Sequence, residues 1–222
     1  MQFVWTMRKL KQEIISRIDS KLNFTDHISS ICKKASQRIG VLMRLRNLIP
    51  TKAKLGLFKS AVLPYLTYCH LVWHFCKSSE ARKLERLQER GLRAVYRDKH
   101  ARYSKLLKRA ELPTLMNRRL QDICILMYKV KHKLCPPYIC NIFIDHNSSY
   151  FVRQSDFSIP SYNTVTYGKH SLCYLGPRVW GKLSPDVQST KTLNTFKNKI
   201  RKCDISSLVD DGCKGCSSIS FF

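Results

Sequence analysis

Apolar residues recur at three- and four-residue steps along most of the chain up to about His146, the spacing of helices with one buried side. Ile28, Ile31, Ala35, Ile39, Leu42 and Leu45 form the first such stripe. Thr25 is the predicted cap ahead of it, and Asp26 suits the positive helix start. Pro50 ends this element, and Thr51 is placed to cap the next. Leu55, Phe58, Val62, Tyr65 and Leu66 mark a second helix, which Pro64 is expected to kink or split. Tyr68 to Phe75 reads as a buried aromatic stretch. Ser78-Ser79-Glu80 opens a third helix reaching about Arg97. Tyr103 to Ala110 predicts a short helix stopped near Pro113. Thr114 then caps a long one with Leu120, Ile123, Met127, Val130 and Leu134 on its inner face, closed by Pro136-Pro137, and Tyr138 to Ile144 adds a turn of helix.

The texture changes after His146. Serines, single aromatics and Pro160 take over, and Asn163 to Tyr167 (NTVTY) alternates like a strand. The run SLCYLGPRVWGKLSP, 171–185, then gathers Tyr174, Trp180 and a Gly-Pro pair. Gly176 permits a turn and Pro177 fixes the next backbone angle, so Trp180 and Tyr174 are expected to pack beneath a final helix. That helix has Leu193, Phe196 and Ile200 on one side, with Lys197, Lys199, Arg201 and Lys202 around it. The expected fold is mainly α: a helical bundle, then a small mixed α/β or irregular C-terminal module. The segments are an atypical lead (1–17), a helical domain (18–146), the aromatic and Gly-Pro module with its basic helix (147–202), and a loose, cysteine-containing tail (203–222).

Charge narrows the function. Lys and Arg number 40 against 15 Asp and Glu, a formal net charge of +25. A compact chain with that excess repels itself, which points to a polyanionic partner, nucleic acid first. No stretch is long and apolar enough to cross a bilayer, so no membrane partner is expected. Basic residues follow the apolar ones at the start, the reverse of a secretory signal. The expected location is intracellular, nucleus or cytoplasm, with reduced cysteines.

The third helix concentrates the excess. Arg82, Arg86, Arg90, Arg93 and Arg97 fall in one narrow sector at about 100° per residue. Leu84, Leu87, Ala94 and Val95 lie roughly opposite, and Glu85 and Glu89 are expected at the row's margin. Such a row runs roughly 20 Å, enough to follow several phosphates. Guanidinium forks match phosphate oxygens in pairs. These five are the primary nucleic-acid-binding candidates. Arg44, Arg46, Lys197, Lys199, Arg201 and Lys202 are secondary.

Three stretches carry a family likeness: IDSKLNFTDHISSICKKASQRIGVLMRLRNLIP (18–50), LFKSAVLPYLTYCHLVWH with KLERLQERGLRAVYRDK (57–74 and 83–99), and YGKHSLCYLGPRVWGKLSPDVQSTKTLNTFKNKIRK (167–202). Together they resemble the C-terminal part of the reverse transcriptase polyprotein of non-LTR, LINE-like, jockey-type retrotransposons. The resemblance implies that 18–146 is a thumb-like helical domain, the part that grips template–primer duplex, and that 167–202 is a closing module. It implies RNA, DNA or RNA–DNA hybrid as partner. The family's palm holds two Mg²⁺ on an aromatic-x-Asp-Asp loop and a third aspartate. No such loop occurs here. Asp210-Asp211 is the one adjacent pair, without the preceding aromatic, and reads as an acidic tail. The expectation is thus a truncated piece of an RNA-directed DNA polymerase, inactive alone and without a cofactor of its own. A domesticated helical protein-interaction domain is the alternative.

Two further groups have ligand-type residues. Cys213 and Cys216 have the spacing of half a zinc site, with Cys203 as the nearest third ligand and no histidine following. The run YCHLVWHFC offers Cys69, His70, His74 and Cys76, but its apolar setting reads as core. No Gly-rich phosphate loop or local nucleophile motif is present.

Overall fold

The computed structural model describes residues 24–143, 156–164, 168 and 171–206. All regular elements among them are helical, and none is a strand. Asn163 and Thr164, the described part of the expected strand, are irregular, and 165–167 lie outside the described residues. The chain forms two compact units, Met1–Leu115 and Met116–Phe222.

In the first unit, α1 (Thr25–Arg44) buries Ile28, Ile31, Ala35, Ile39 and Leu42, the stripe that spacing predicts. Its cap differs from expectation. Thr25 is already helical, and Phe24 stands before it with φ 53° and no side-chain cap bond. The left-handed backbone costs about 1 kcal/mol. Burial of the Phe24 ring, edge-on to Phe75 at 5.7 Å, offsets that. Thr51 is likewise inside its helix, with Pro50 at the cap position.

A turn of 3-10 helix (Leu45–Asn47) precedes α2 (Thr51–Leu57). Pro64 then acts as predicted. It has no N–H for the Ser60 carbonyl, and its ring presses on that group. The helix widens into a π turn, Phe58–Val62, before resuming as α3 (Leu63–Thr67).

Next come α4 (Ser78–Tyr96) and α5 (Tyr103–Ala110). Phe58 is fully buried and reaches α4 at Gly91, where a Cβ would stand 2.3 Å from the ring. Helices α1 and α4 run the same way. Cys32 lies beside Glu80 and Lys83 near their starts, and Arg97 bonds Asn47 just past their ends. Two polar ties hold α4 from its buried side: the Tyr103 hydroxyl donates to Glu85 at 2.5 Å, and Gln88 donates to the Pro113 carbonyl at 3.0 Å.

The second unit is built on α6 (Leu115–Lys131), whose buried Leu120, Ile123, Met127 and Val130 match the predicted face. Leu134 does not, being 58% exposed. The helix has already closed by then: Lys133 turns left-handed (φ 53°), and Leu134 N–H bonds the Lys129 carbonyl at 2.8 Å, a Schellman closure without glycine. Among the described residues four short elements follow: α7 (Pro137–Cys140), α8 (Leu172–Gly181), α9 (Pro185–Gln188) and α10 (Leu193–Lys202). Sequence division at 146/147 separates α6 from α10, but Tyr128 of α6 stacks on Phe196 of α10 at 4.5 Å.

The aromatic cluster is helical, correcting the expected Gly-Pro turn. Ser171 caps α8 by accepting from Tyr174 N–H at 3.3 Å, and Pro177 sits inside the helix. Gly176 serves close approach: a Cβ there would lie 2.6 Å from the Met127 sulfur. Trp180 does lie under α10, 5.8 Å from Phe196, and its indole N–H donates to Asp156 at 2.7 Å. Tyr174 instead meets Tyr162 edge-on at 4.8 Å. The chain after α10 is pinned at its start: Ile205 is fully buried, its N–H bonded to Asn117 at 2.9 Å. Residues 207–222 lie outside the described residues.

Candidate nucleic-acid interface

The row follows from the helical period. Taking Arg82 as zero, the five arginines span about 80° around α4. Buried Gly91, Leu84, Val95, Gln88 and Leu92 occupy the far side, and buried Ala94 borders the row. Arg82, Arg86, Arg90 and Arg97 are exposed and Arg93 is half-buried. No ion pair engages Arg82, Arg86 or Arg90 among the described residues.

The other two are held. Arg93 pairs with Glu89 at 2.8 Å, one helical turn back. Such a half-buried pair one helical turn apart is worth about 0.3–0.5 kcal/mol, so a phosphate can displace the carboxylate. Arg97 is the left-handed residue ending α4, and its guanidinium donates to the Asn47 side-chain oxygen at 2.8 Å. Glu85 is a correction. It is buried rather than marginal, since helical geometry sets it within about 20° of Leu92 and about 60° from Arg82.

Of the secondary candidates, Arg44 is exposed at the end of α1, and Arg46 lies in the 3-10 turn. In the second unit Arg201 and Lys202 are exposed and Lys197 is half-buried. Lys199 is engaged by Asp186, at 2.8 Å from the carboxylate and 3.1 Å from the carbonyl oxygen.

At its C-terminal end the row becomes a hollow. A cavity of about 430 Å³ lies where α1 and α4 end side by side. Arg90, Arg93, Arg97 and Lys99 line it, together with Met43, Asn47 and Ala94. Lys54 of α2 is buried nearby, and its ammonium pKa is pushed down, first by burial and then by the Arg97 charge. Sequence reasoning did not include Lys99. The signal is that Lys99 lies three residues past the end of α4 and continues its basic run.

Among the described residues no three His, Cys, Asp or Glu side chains converge as metal ligands. Cys213 and Cys216 lie outside the described residues. Of the aromatic run, His70, His74 and Cys76 are buried and Cys69 is exposed. His74 Nδ1 lies 2.7 Å from the Leu71 carbonyl, and His70 packs edge-on to Trp73 at 6.4 Å. The Cys124 thiol, fully buried on α6, is pushed up to about 12 by burial and is therefore a poor nucleophile. No helix among the described residues is long and apolar enough to cross a membrane.

Comparison with known protein families, with curated proteins and with solved structures found no match.

Proposed function

We propose that the chain binds nucleic-acid backbones, RNA, DNA or their hybrid, without reading sequence, through the arginine row of α4. The observation that carries this is the exposure of Arg82, Arg86 and Arg90 on one side of a helix whose other side is core. Contacts of this kind fix a strand's position but carry no base information. Arg44 adds a charge at the end of α1, and Arg201 and Lys202 offer a second basic patch on α10.

The ordered likeness of 18–50, 57–99 and 167–202 to the reverse transcriptases of non-LTR retrotransposons supports the same reading. In that family a thumb holds the template–primer duplex. The activity proposed for this chain is that grip and not polymerisation, because none of the 222 residues forms an aromatic-x-Asp-Asp sequence.

Filter binding to an RNA–DNA hybrid tests the proposal. Replacing Arg82, Arg86 and Arg90 by glutamine should weaken binding for hybrids of any sequence, and unchanged affinity would overturn it. Capture from cell extract after nuclease digestion addresses the protein-interaction alternative. Partners that persist after digestion favour that reading, and their loss favours nucleic acid.

A further inference from the structure

We propose that the cavity at the adjoining ends of α1 and α4 seats a terminal phosphate monoester carried on a nucleoside, the phosphorylated end of a strand. Arg90, Arg93, Arg97 and Lys99 face the phosphate, while Met43 and Ala94 give an apolar wall for sugar and base. This rests on the nucleic-acid reading of the row and adds to it a preference for strand ends.

The volume suits the occupant. About 430 Å³ is more than a lone phosphate needs and lies in the usual range of small-molecule sites.

The charge suits it also. Four cations line the cavity and Lys54 stands behind them. Opposing them are Glu89, already paired with Arg93, and Asp98, whose carboxylate accepts from the backbone N–H groups of His100 and Ala101. The two helix ends contribute about −0.5 each. The balance stays positive, which favours a phosphate monoester at about −1.5 to −2 over a backbone diester at about −1.

One donor is set before any ligand arrives: Asn47 aims Arg97, so less ordering of that side chain is required on binding. Arg82 and Arg86, farther up the helix, have only an open face to offer and suit diesters.

The test uses the full chain and three oligonucleotides of one sequence, bearing a 5′-phosphate, a 3′-phosphate or neither. Adenosine monophosphate alone is a fourth probe, and fluorescence anisotropy and calorimetry provide the readouts. A phosphorylated end should bind roughly tenfold tighter than the unmodified strand, the worth of one charge-assisted hydrogen bond. In Arg90→Gln/Lys99→Gln, shown folded by circular dichroism, that ratio should fall to near one. Arg82→Gln should weaken all strands equally. If the native chain binds the three strands equally, the cavity proposal is overturned while the row stands. A preference that survives the double variant overturns it too. If no strand binds, the row reading fails; the cavity then stands only if adenosine monophosphate binds and the double variant abolishes this.

Discussion

Gly91→Ala probes the contact that sets α4, and with it the arginine row, on the core. Gly91 is buried, and a methyl group at its Cβ position would stand 2.3, 2.9 and 3.4 Å from three atoms of the Phe58 ring. The ring is fully buried, on the π turn that Pro64 imposes, so neither the ring nor its backbone is placed to retreat. In an exposed helix the same change would stabilise by about 1 kcal/mol. Here overpacking costs about 1–3 kcal/mol. The expected net effect is destabilisation by about 0–2 kcal/mol once both are counted. Urea denaturation should show a lower midpoint with the slope unchanged. Phe58→Leu combined with Gly91→Ala should cost less than the two single changes added together. A Gly91→Ala chain more stable than the parent would refute the close-packing argument.

Three other changes have definite signs. Tyr103→Phe removes the hydroxyl that donates to buried Glu85, and should cost about 1.5–3 kcal/mol in the same denaturation assay. Glu111 ends α5 left-handed (φ 53°) and brings negative charge to a negative helix end. Glu111→Gly should therefore raise stability by about 0.5–1 kcal/mol, and a fall in midpoint would count against the strain. His27 is buried against Phe24 and Trp73, and burial, then the Lys34 charge, holds its pKa below the ordinary 6.5. Below pH 6.5 the unfolded chain takes up a proton that the folded chain refuses. Stability should be full above that pH and fall beneath it by up to about 1.4 kcal/mol per unit until the folded pKa is reached. His27→Phe should flatten that decline; an identical pH profile would remove His27 from the account.

The helices of the first unit were legible because each has an unbroken apolar stripe. Arg82 to Arg97 could be placed outward by the period alone. Caps were less legible. Thr25 and Thr51 are good cap residues, yet burial of the Phe24 ring and the extended backbone of Pro50 decide where those helices start. Gly176-Pro177 has turn chemistry, yet the pair lies inside α8, where Met127 approaches Gly176 closely. Glu85 carries a charge that points to water, though its helical angle lies beside Leu92 and it is buried. The cavity depends on Met43 of α1 and Asn47 of the 3-10 turn meeting α4 across more than forty residues of sequence, a pairing that no local pattern encodes.

The salt dependence of backbone binding bears most directly on the central claim. Affinity for duplex DNA should fall with rising salt along a straight line on logarithmic axes, with a slope of about −0.9 for each phosphate neutralised. Arg82→Gln/Arg86→Gln/Arg90→Gln should make that slope shallower by about 2.7, three contacts' worth. A triple variant with the parent's slope would show that the exposed row of α4 does not hold the phosphates.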